Sequence, residues 1–387
     1  MLTVPAAANA HSHAFHRVLR GRTHGDGGSF WTWRERMYDV ARVLDPELYG
    51  QLAEAVFAEM LIAGYTAVGE FHYVHHRPDG TPYDDPNAFG VALALAAERV
   101  GLRLTLLDTC YLESAPGQPL LLEQQRFGDG SASTWLDRWH GLSDLASDLV
   151  TVGAAIHSVR AVPPGAIAQI VQGLPAEAPL HVHLSEQPAE NEQSLAAYGL
   201  TPAAVLAEAG ALAPRLSVVH ATHLTHDDIA LLGGAGVTAV FCPTTEADLG
   251  DGIGPARELA DAGAMIAIGS DQHVVIDPFA ETRTLEGHER LRSGLRGRFT
   301  PAELDAIRGA NGFRSLGIAS DDSVMLRDDS VRTAGADHPA LVATASDVQR
   351  VTVAGRVVAE NGLLADGRDP AILLRDAIAA IDARLAA

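Results

Sequence analysis

Two histidines two residues apart, His11 and His13, follow a short apolar run near the start of the chain. On a β-strand, side chains at i and i+2 share a face. The pair therefore presents two imidazoles in one direction, which is half of a tetrahedral zinc site. Alone, a His-x-His pair is equally compatible with surface polarity, so the reading depends on ligands supplied elsewhere. His183, His220 and Asp271 are the candidates, because each ends or directly follows an apolar run. Imidazoles and a carboxylate gathered at one place can hold a divalent ion and activate a water for hydrolysis.

The elements that must position these residues alternate. Apolar runs at 2–8, 66–71, 102–107, 150–156, 179–184, 216–219, 237–241 and 265–268 read as strands. Helical patterns lie between them, for example from Pro46, suited to a first turn, to a stop at Gly64. Eight strands alternating with helices predict an α/β chain whose parallel sheet closes as a (β/α)8 TIM-type barrel. No Gly-x-Gly-x-x-Gly follows the first strand, which removes the main signal for a dinucleotide-binding sheet. Barrel active sites sit at the carboxyl ends of the strands. His11 and His13 fall there on the first strand, His183 on the fifth, His220 on the sixth and Asp271 on the eighth, which makes a metal site the expected use. His72, His75, His76, His223 and His226 read as loop or surface histidines, and His181 as barrel-core packing. The glycine- and aromatic-containing segment that ends at Arg34 reads as a long loop lining a site. Beyond the barrel, 301–316 reads as one helix. Short strands are expected at 340–345 and 348–360, with a turn at Ala354 and Gly355, and a closing helix at 369–387. The expected division is a barrel over 1–318 and a small β appendage over 319–387.

Composition narrows the partners. A formal charge of −21 and a pI near 5.1 argue against nucleic acid or an anionic membrane surface. The 387 residues contain no lysine, so no Schiff base, P-loop lysine or carbamylated bridging lysine is available. Two cysteines, Cys110 and Cys242, exclude a disulfide framework and suit a reducing cytoplasm. No apolar run approaches a membrane span, and no signal peptide is recognisable at the start.

Seven motifs, in order, are similar to the formiminoglutamate deiminase family of the amidohydrolase superfamily. They are Asn-Ala-His-Ser-His-Ala-Phe at 9–15, Ser-Phe-Trp-Thr-Trp-Arg at 29–34, Gly-Glu-Phe-His-Tyr at 69–73, His-Ser-Val-Arg at 157–160, His-Leu-Ser-Glu-Gln at 183–187, Val-His-Ala-Thr-His at 219–223 and Gly-Ser-Asp at 269–271. The resemblance implies one divalent metal per subunit held by His11, His13, His183 and Asp271. Zinc is the usual ion, and iron(II) or manganese(II) is compatible with this ligand set. Absence of lysine agrees with one metal rather than two. The resemblance further implies that Asp271 accepts a proton from the nucleophilic water, and that Glu186 and His220 handle protons and polarise the substrate. His16, Arg34, Tyr73, His157 and Arg160 match substrate positions: Arg160 and Tyr73 for one carboxylate, Arg34 for the other. The implied reaction is hydrolytic deimination of N-formimino-L-glutamate, in a cytoplasmic homodimer. The alternatives are a superfamily deaminase acting on a cyclic base or another formimino acid, and a zinc-binding protein without turnover. Two departures stand out. His16 occupies a position where the family usually has glutamine. The chain also reads as starting directly at the first barrel strand, without the N-terminal β structure of its superfamily, so the C-terminal strands are expected to lack partners.

Overall fold

The computed structural model describes residues 2–23 and 30–387, with the side chains of Phe30 and Trp31 outside the description. Eight parallel strands pair in chain order: β2 (Ala7–Ser12), β3 (Tyr65–His72), β4 (Arg103–Cys110), β5 (Val150–Ser158), β6 (Leu180–Leu184), β7 (Leu216–His220), β8 (Thr238–Phe241) and β9 (Met265–Ile268), preceded in the chain by a short β1 (Leu2–Pro5). Helices cover the outer face, and most strand residues are buried on both sides, as parallel sheets require. The expected TIM-type barrel is present. Its seam closes where Ser12 bridges Asp271 in parallel register, just beyond β9. Gly269 permits that seam: a Cβ there would lie 2.8 Å from both the Cβ and the carbonyl oxygen of His11.

Local sequence explains the helix ends. Asp45 accepts from the Leu48 N–H at 2.8 Å to cap helix Pro46–Ala63, and Gly64 ends it in the left-handed region at φ 103°. The single helix expected at 301–316 is two, Pro301–Arg308 and Ala310–Ser315. Gly309 breaks it because the chain runs against Ala6, whose carbonyl oxygen lies 2.8 Å from where a Cβ would sit. The second of these helices plugs the barrel floor, where His181 and Thr105 bond the Ser315 and Leu316 carbonyls. His181 is thus a buried core residue, as its place in the pattern predicts.

The appendage corrects two expectations. The first apolar run is two strands rather than one. The alternately buried β1 leaves the barrel and pairs antiparallel with β10 (Ser323–Leu326), from Leu2 opposite Leu326 to Pro5 opposite Ser323. The chain therefore does not begin at the barrel. β11 (Val348–Val353), β12 (Arg356–Glu360) and β13 (Leu363–Leu364) complete a five-stranded sheet, with the turn at Ala354 and Gly355 as expected. No strand forms at 340–345; the chain makes 3-10 turns at Pro339–Leu341 and Ala345–Asp347, the latter capped reciprocally by Thr344 and Asp347. A four-residue strand between aspartates carried too little pattern to reveal β10. Among the described residues, no helix is long and apolar enough to cross a membrane.

His72, His75 and His76, expected in loops or at the surface, are buried: His72 ends β3, and His75 and His76 lie in the loop that follows. They sit beside a charged hub in the segment joining β4 to β5. Arg138 forks onto Asp108 at 2.7 and 2.8 Å and onto Asp129 at 2.9 Å. Trp135 donates to Asp108, and His76 pairs with Asp129 at 3.0 Å. Burial would raise both carboxyl pKa values, but Arg138 together with His75 and His72 overcomes it at Asp108, and His76 with Arg138 and His75 overcomes it at Asp129, so both are held below the usual range. Because these pKa values are depressed, the stability they confer is full above the unfolded value near 3.9 and is lost as pH falls through the lower native values. Replacing Arg138 by methionine strands two buried carboxylates. It is expected to cost about 3–5 kcal/mol in urea unfolding at pH 7, and less at pH 4, where protonation of the carboxyls relieves the penalty. An equal loss at both pH values would contradict the hub.

Candidate active site

At the carboxyl ends of the barrel strands, four side chains point at one small volume. His13 Nε2 lies 3.3 Å from His183 Nε2, which lies 3.2 Å from His11 Nε2. Asp271 Oδ1 is 3.4 Å from both His11 Nε2 and His13 Nε2. Ligands about 2.0–2.1 Å from a tetrahedral ion stand about 3.3–3.4 Å apart, which matches these four of the six edges; His183 and Asp271 are farther apart. The tautomers follow from the neighbouring backbone. His13 Nδ1 is 2.8 Å from the Phe71 carbonyl and His183 Nδ1 is 2.9 Å from the His157 carbonyl. A carbonyl only accepts, so both Nδ1 atoms carry the proton and both Nε2 atoms present lone pairs. Burial, reinforced by neighbouring histidines, lowers the pKa of His11, His13 and His183, that of His13 to about 3. The rings are neutral near pH 7. Converging lone pairs beside a carboxylate repel one another, and a cation is what relieves them.

His220 belongs to a different environment. Its Nδ1 lies 3.4 Å from Glu246 Oε1, and its Nε2 lies 3.7 Å from Glu186 Oε1 and 4.0 Å from Asp271 Oδ2. Burial alone would lower its pKa, but Glu186, Glu246 and Asp271 raise it to about 10. His220 is held toward its protonated form, whereas His11, His13 and His183 are held neutral. Burial, partly offset by His220, raises the Glu186 carboxyl pKa. His220 and Asp271 occupy the left-handed region at φ 68° and 40°, which costs a non-glycine residue about 1–3 kcal/mol. Hydrogen bonds of the seam hold Asp271 there: its N–H donates to the His11 carbonyl at 3.0 Å, and its carbonyl accepts from the His13 N–H at 3.2 Å.

The cleft above these groups is lined by His16, Arg34, Tyr73, His157, Arg160 and Glu186, so the structure brings every site residue named from sequence to this centre or its walls. Arg34 lies in helix Phe30–Val43, not in a loop; residues 24–29 of the expected loop lie outside the described residues. Tyr73 is engaged by His16, whose Nε2 is 2.9 Å from its hydroxyl. Arg160 donates to the Ser114 carbonyl at 2.7 Å and to the Tyr111 hydroxyl at 3.3 Å.

Sequence reasoning missed several groups. Glu246 follows β8 and also accepts from the Cys242 N–H at 2.8 Å, which aims its carboxylate at His220. Its position just past a barrel strand was the available signal. Glu70, buried in β3, accepts from Ser12 Oγ at 2.5 Å, from the Ala14 N–H at 2.6 Å and from the Tyr49 hydroxyl at 3.1 Å. It pins the turn on either side of His13. Tyr38, Tyr111, Trp33 and Glu190 also line the cleft.

A barrel with its polar centre at the strand ends defines a class, and the sequence agrees: a model of the amidohydrolase family matches residues 2–321, and the chain belongs to that family. Among curated relatives, a formimidoylglutamate deiminase of Pseudomonas aeruginosa is 40% identical over 301 residues, which are 76% of this chain and 66% of the relative. An 8-oxoguanine deaminase of the same organism is 28% identical across 100% of this chain and 88% of its own length. The crystal structure of an amidohydrolase from Brucella melitensis superposes with a TM-score of 0.91 at 32% identity, covering 98% of this chain and 89% of that one. An adenosine deaminase from Xanthomonas campestris with bound zinc has the same fold, with a TM-score of 0.84 at 24% identity over 99% of this chain and 85% of its own.

Replacing Glu70 by alanine removes the acceptor that three donors share beside His13. Metal affinity, measured by chelator competition, is expected to fall about 10–100-fold. Unchanged affinity would show that the turn holds itself.

Proposed function

We propose that this chain hydrolyses N-formimino-L-glutamate to N-formyl-L-glutamate and ammonia with one zinc ion held by His11, His13, His183 and Asp271. The observation that carries the metal reading is that His11 and His13 Nε2 each stand 3.4 Å from Asp271 Oδ1 while His183 Nε2 stands 3.2–3.3 Å from both imidazoles. A bound zinc ion would supply Lewis acidity that brings the pKa of a water to about 7. Iron(II) and manganese(II) fit the same ligand set.

The chain's own groups would then divide the work. Asp271, facing His220 across 4.0 Å, takes the proton of the attacking water. His220, cationic between Glu186 and Glu246, directs its Nε2–H at the reacting carbon's substituents. Glu186, with its raised pKa, delivers a proton to the departing nitrogen. The C=N bond of the amidine is replaced by C=O, and nitrogen leaves as ammonia. Arg160 and Arg34 supply the planar forks that two carboxylates need in a strongly acidic protein. A cyclic base would need neither fork, which favours the linear dicarboxylate over the base-deaminase alternative. We extend the proposal to a cytoplasmic homodimer from the family resemblance; light scattering tests the assembly.

The deciding assay is ammonia release by the zinc-loaded protein from N-formimino-L-glutamate beside a panel of purines and pyrimidines. Turnover confined to the formimino acid, and abolished by a chelator, is expected; turnover of a base instead would overturn the reading. Replacing Arg160 by alanine is expected to lower kcat/KM by about 100-fold at unchanged zinc content. Parallel loss of zinc would remove Arg160 from substrate binding.

A further inference from the structure

The two arginines assigned to substrate carboxylates are joined to each other. Arg34 Nε donates to the Tyr38 hydroxyl at 2.7 Å. Arg160 donates from both terminal nitrogens to the Tyr111 hydroxyl at 3.3 Å. Between the two phenols stands the fully buried amide of Gln124, whose Nε2 donates to Tyr38 at 2.9 Å and to Tyr111 at 3.0 Å. The amide cannot turn over freely, because its oxygen accepts from the Leu121 N–H at 3.0 Å. The result is a continuous strut, Arg34–Tyr38–Gln124–Tyr111–Arg160. It joins helix Phe30–Val43 to the ends of β4 and β5 through the short helical turn Leu122–Phe127.

Two protons remain to be donated along the strut. Each phenol oxygen accepts from an arginine and from Gln124, so its own O–H is left to reach a further acceptor. Arg34 with Tyr38, and Arg160 with Tyr111, form two donor pairs that can each meet a carboxylate. Gln124 holds the two pairs at a fixed separation. A buried amide with both N–H groups and its oxygen satisfied is a rigid spacer, because shifting either phenol leaves a donor unpaired.

We infer that Gln124 is a positioning residue that sets the distance between the two arginine–tyrosine pairs, and so selects the chain length of the dicarboxylate the site accepts. This rests on the proposed two-carboxylate substrate. A rigid spacing rejects diacids one carbon too short or too long, because one carboxylate then misses its fork. Gln124 touches no substrate atom in this arrangement; it acts through Tyr38 and Tyr111.

The test compares succinate, glutarate and adipate as ligands of the zinc-loaded protein by calorimetry, alongside KM and kcat for N-formimino-L-glutamate. The wild type is expected to prefer glutarate by about tenfold over either neighbour. Gln124→Met, similar in volume but without the amide, is expected to bring the three affinities within about twofold and to raise KM more than it lowers kcat, with zinc content unchanged. Tyr111→Phe should shift selectivity the same way; it and Tyr38→Phe decide the matter if Gln124→Met does not fold. Gln125→Met is the control, since that amide bonds the Leu120 carbonyl instead, and it should keep the wild-type preference. A folded Gln124→Met that keeps the glutarate preference, or a wild type that binds all three alike, overturns the inference. If glutarate preference is present in the wild type and lost in Gln124→Met, yet no ammonia is released, the spacer stands and the proposed reaction falls. If ammonia is released but selectivity in Gln124→Met is unaltered, the reaction stands and the spacer falls.

Discussion

Lone pairs aimed at one another are the constraint around which this barrel is built. His183 stands 3.2–3.3 Å from His11 and His13, and both of these stand 3.4 Å from Asp271, so the scaffold must hold groups together that repel one another. It does so through backbone groups. The Phe71 and His157 carbonyls hold the Nδ1–H of His13 and His183, and the barrel seam holds Asp271 to His11 and His13. The same hydrogen bonds that complete the barrel orient its ligands. Glycine at 269 lets the first and last strands come that close, and Glu70 ties the turn around His13 to the neighbouring strand. Strain in the backbone of Asp271 and His220 is the local cost of this geometry.

Charge is separated with similar care. One side of the centre gathers carboxylates around His220, whereas the cleft wall gathers arginines and phenols. Glu190 lies between them, its carboxyl raised to about 7 by burial, with Arg160 opposing the shift. Of the 28 arginines in a chain of net charge −21, Arg34 and Arg160 line the cleft. Away from the cleft, the buried Arg138 compensates Asp108 and Asp129, and the buried Arg126 bonds the carbonyls of His76, Ala41 and Leu44. These arginines fasten the segments that carry Gln124 and Tyr111 to the barrel wall. Positions that look remote from chemistry therefore set the shape of the cleft.

Much of this was legible in the linear chain. Strand and helix alternation follows from hydrophobic periodicity, a local property, and so did the barrel. The placement of His11, His13, His183, His220 and Asp271 at one edge follows from periodicity plus the rule that barrel strands run parallel. Boundaries were less legible where two demands overlapped. Residues 2–8 read as one strand because the apolar character of Leu2–Pro5 continues into Ala6, Ala7 and Ala8, and only the different partners of the two strands, β10 and β3, divide them. His72, His75 and His76 read as loop or surface residues because polar residues usually are; His75 and His76 are buried against carboxylates and a carbonyl more than thirty residues away in sequence.

What the chain alone determined was the inventory: which side chains stand at the strand ends, that no lysine can bridge two metals, and that arginine must hold any anion. Tertiary structure decided which of those groups meet. Hydrogen bonds span residues of any separation, so the partnership of Glu246 with His220, the anchoring by Glu70 and the strut through Gln124 leave no periodic trace. Each pairing is fixed by the closure of the barrel and the packing of its insertions, a property of the whole chain that no short stretch of sequence contains.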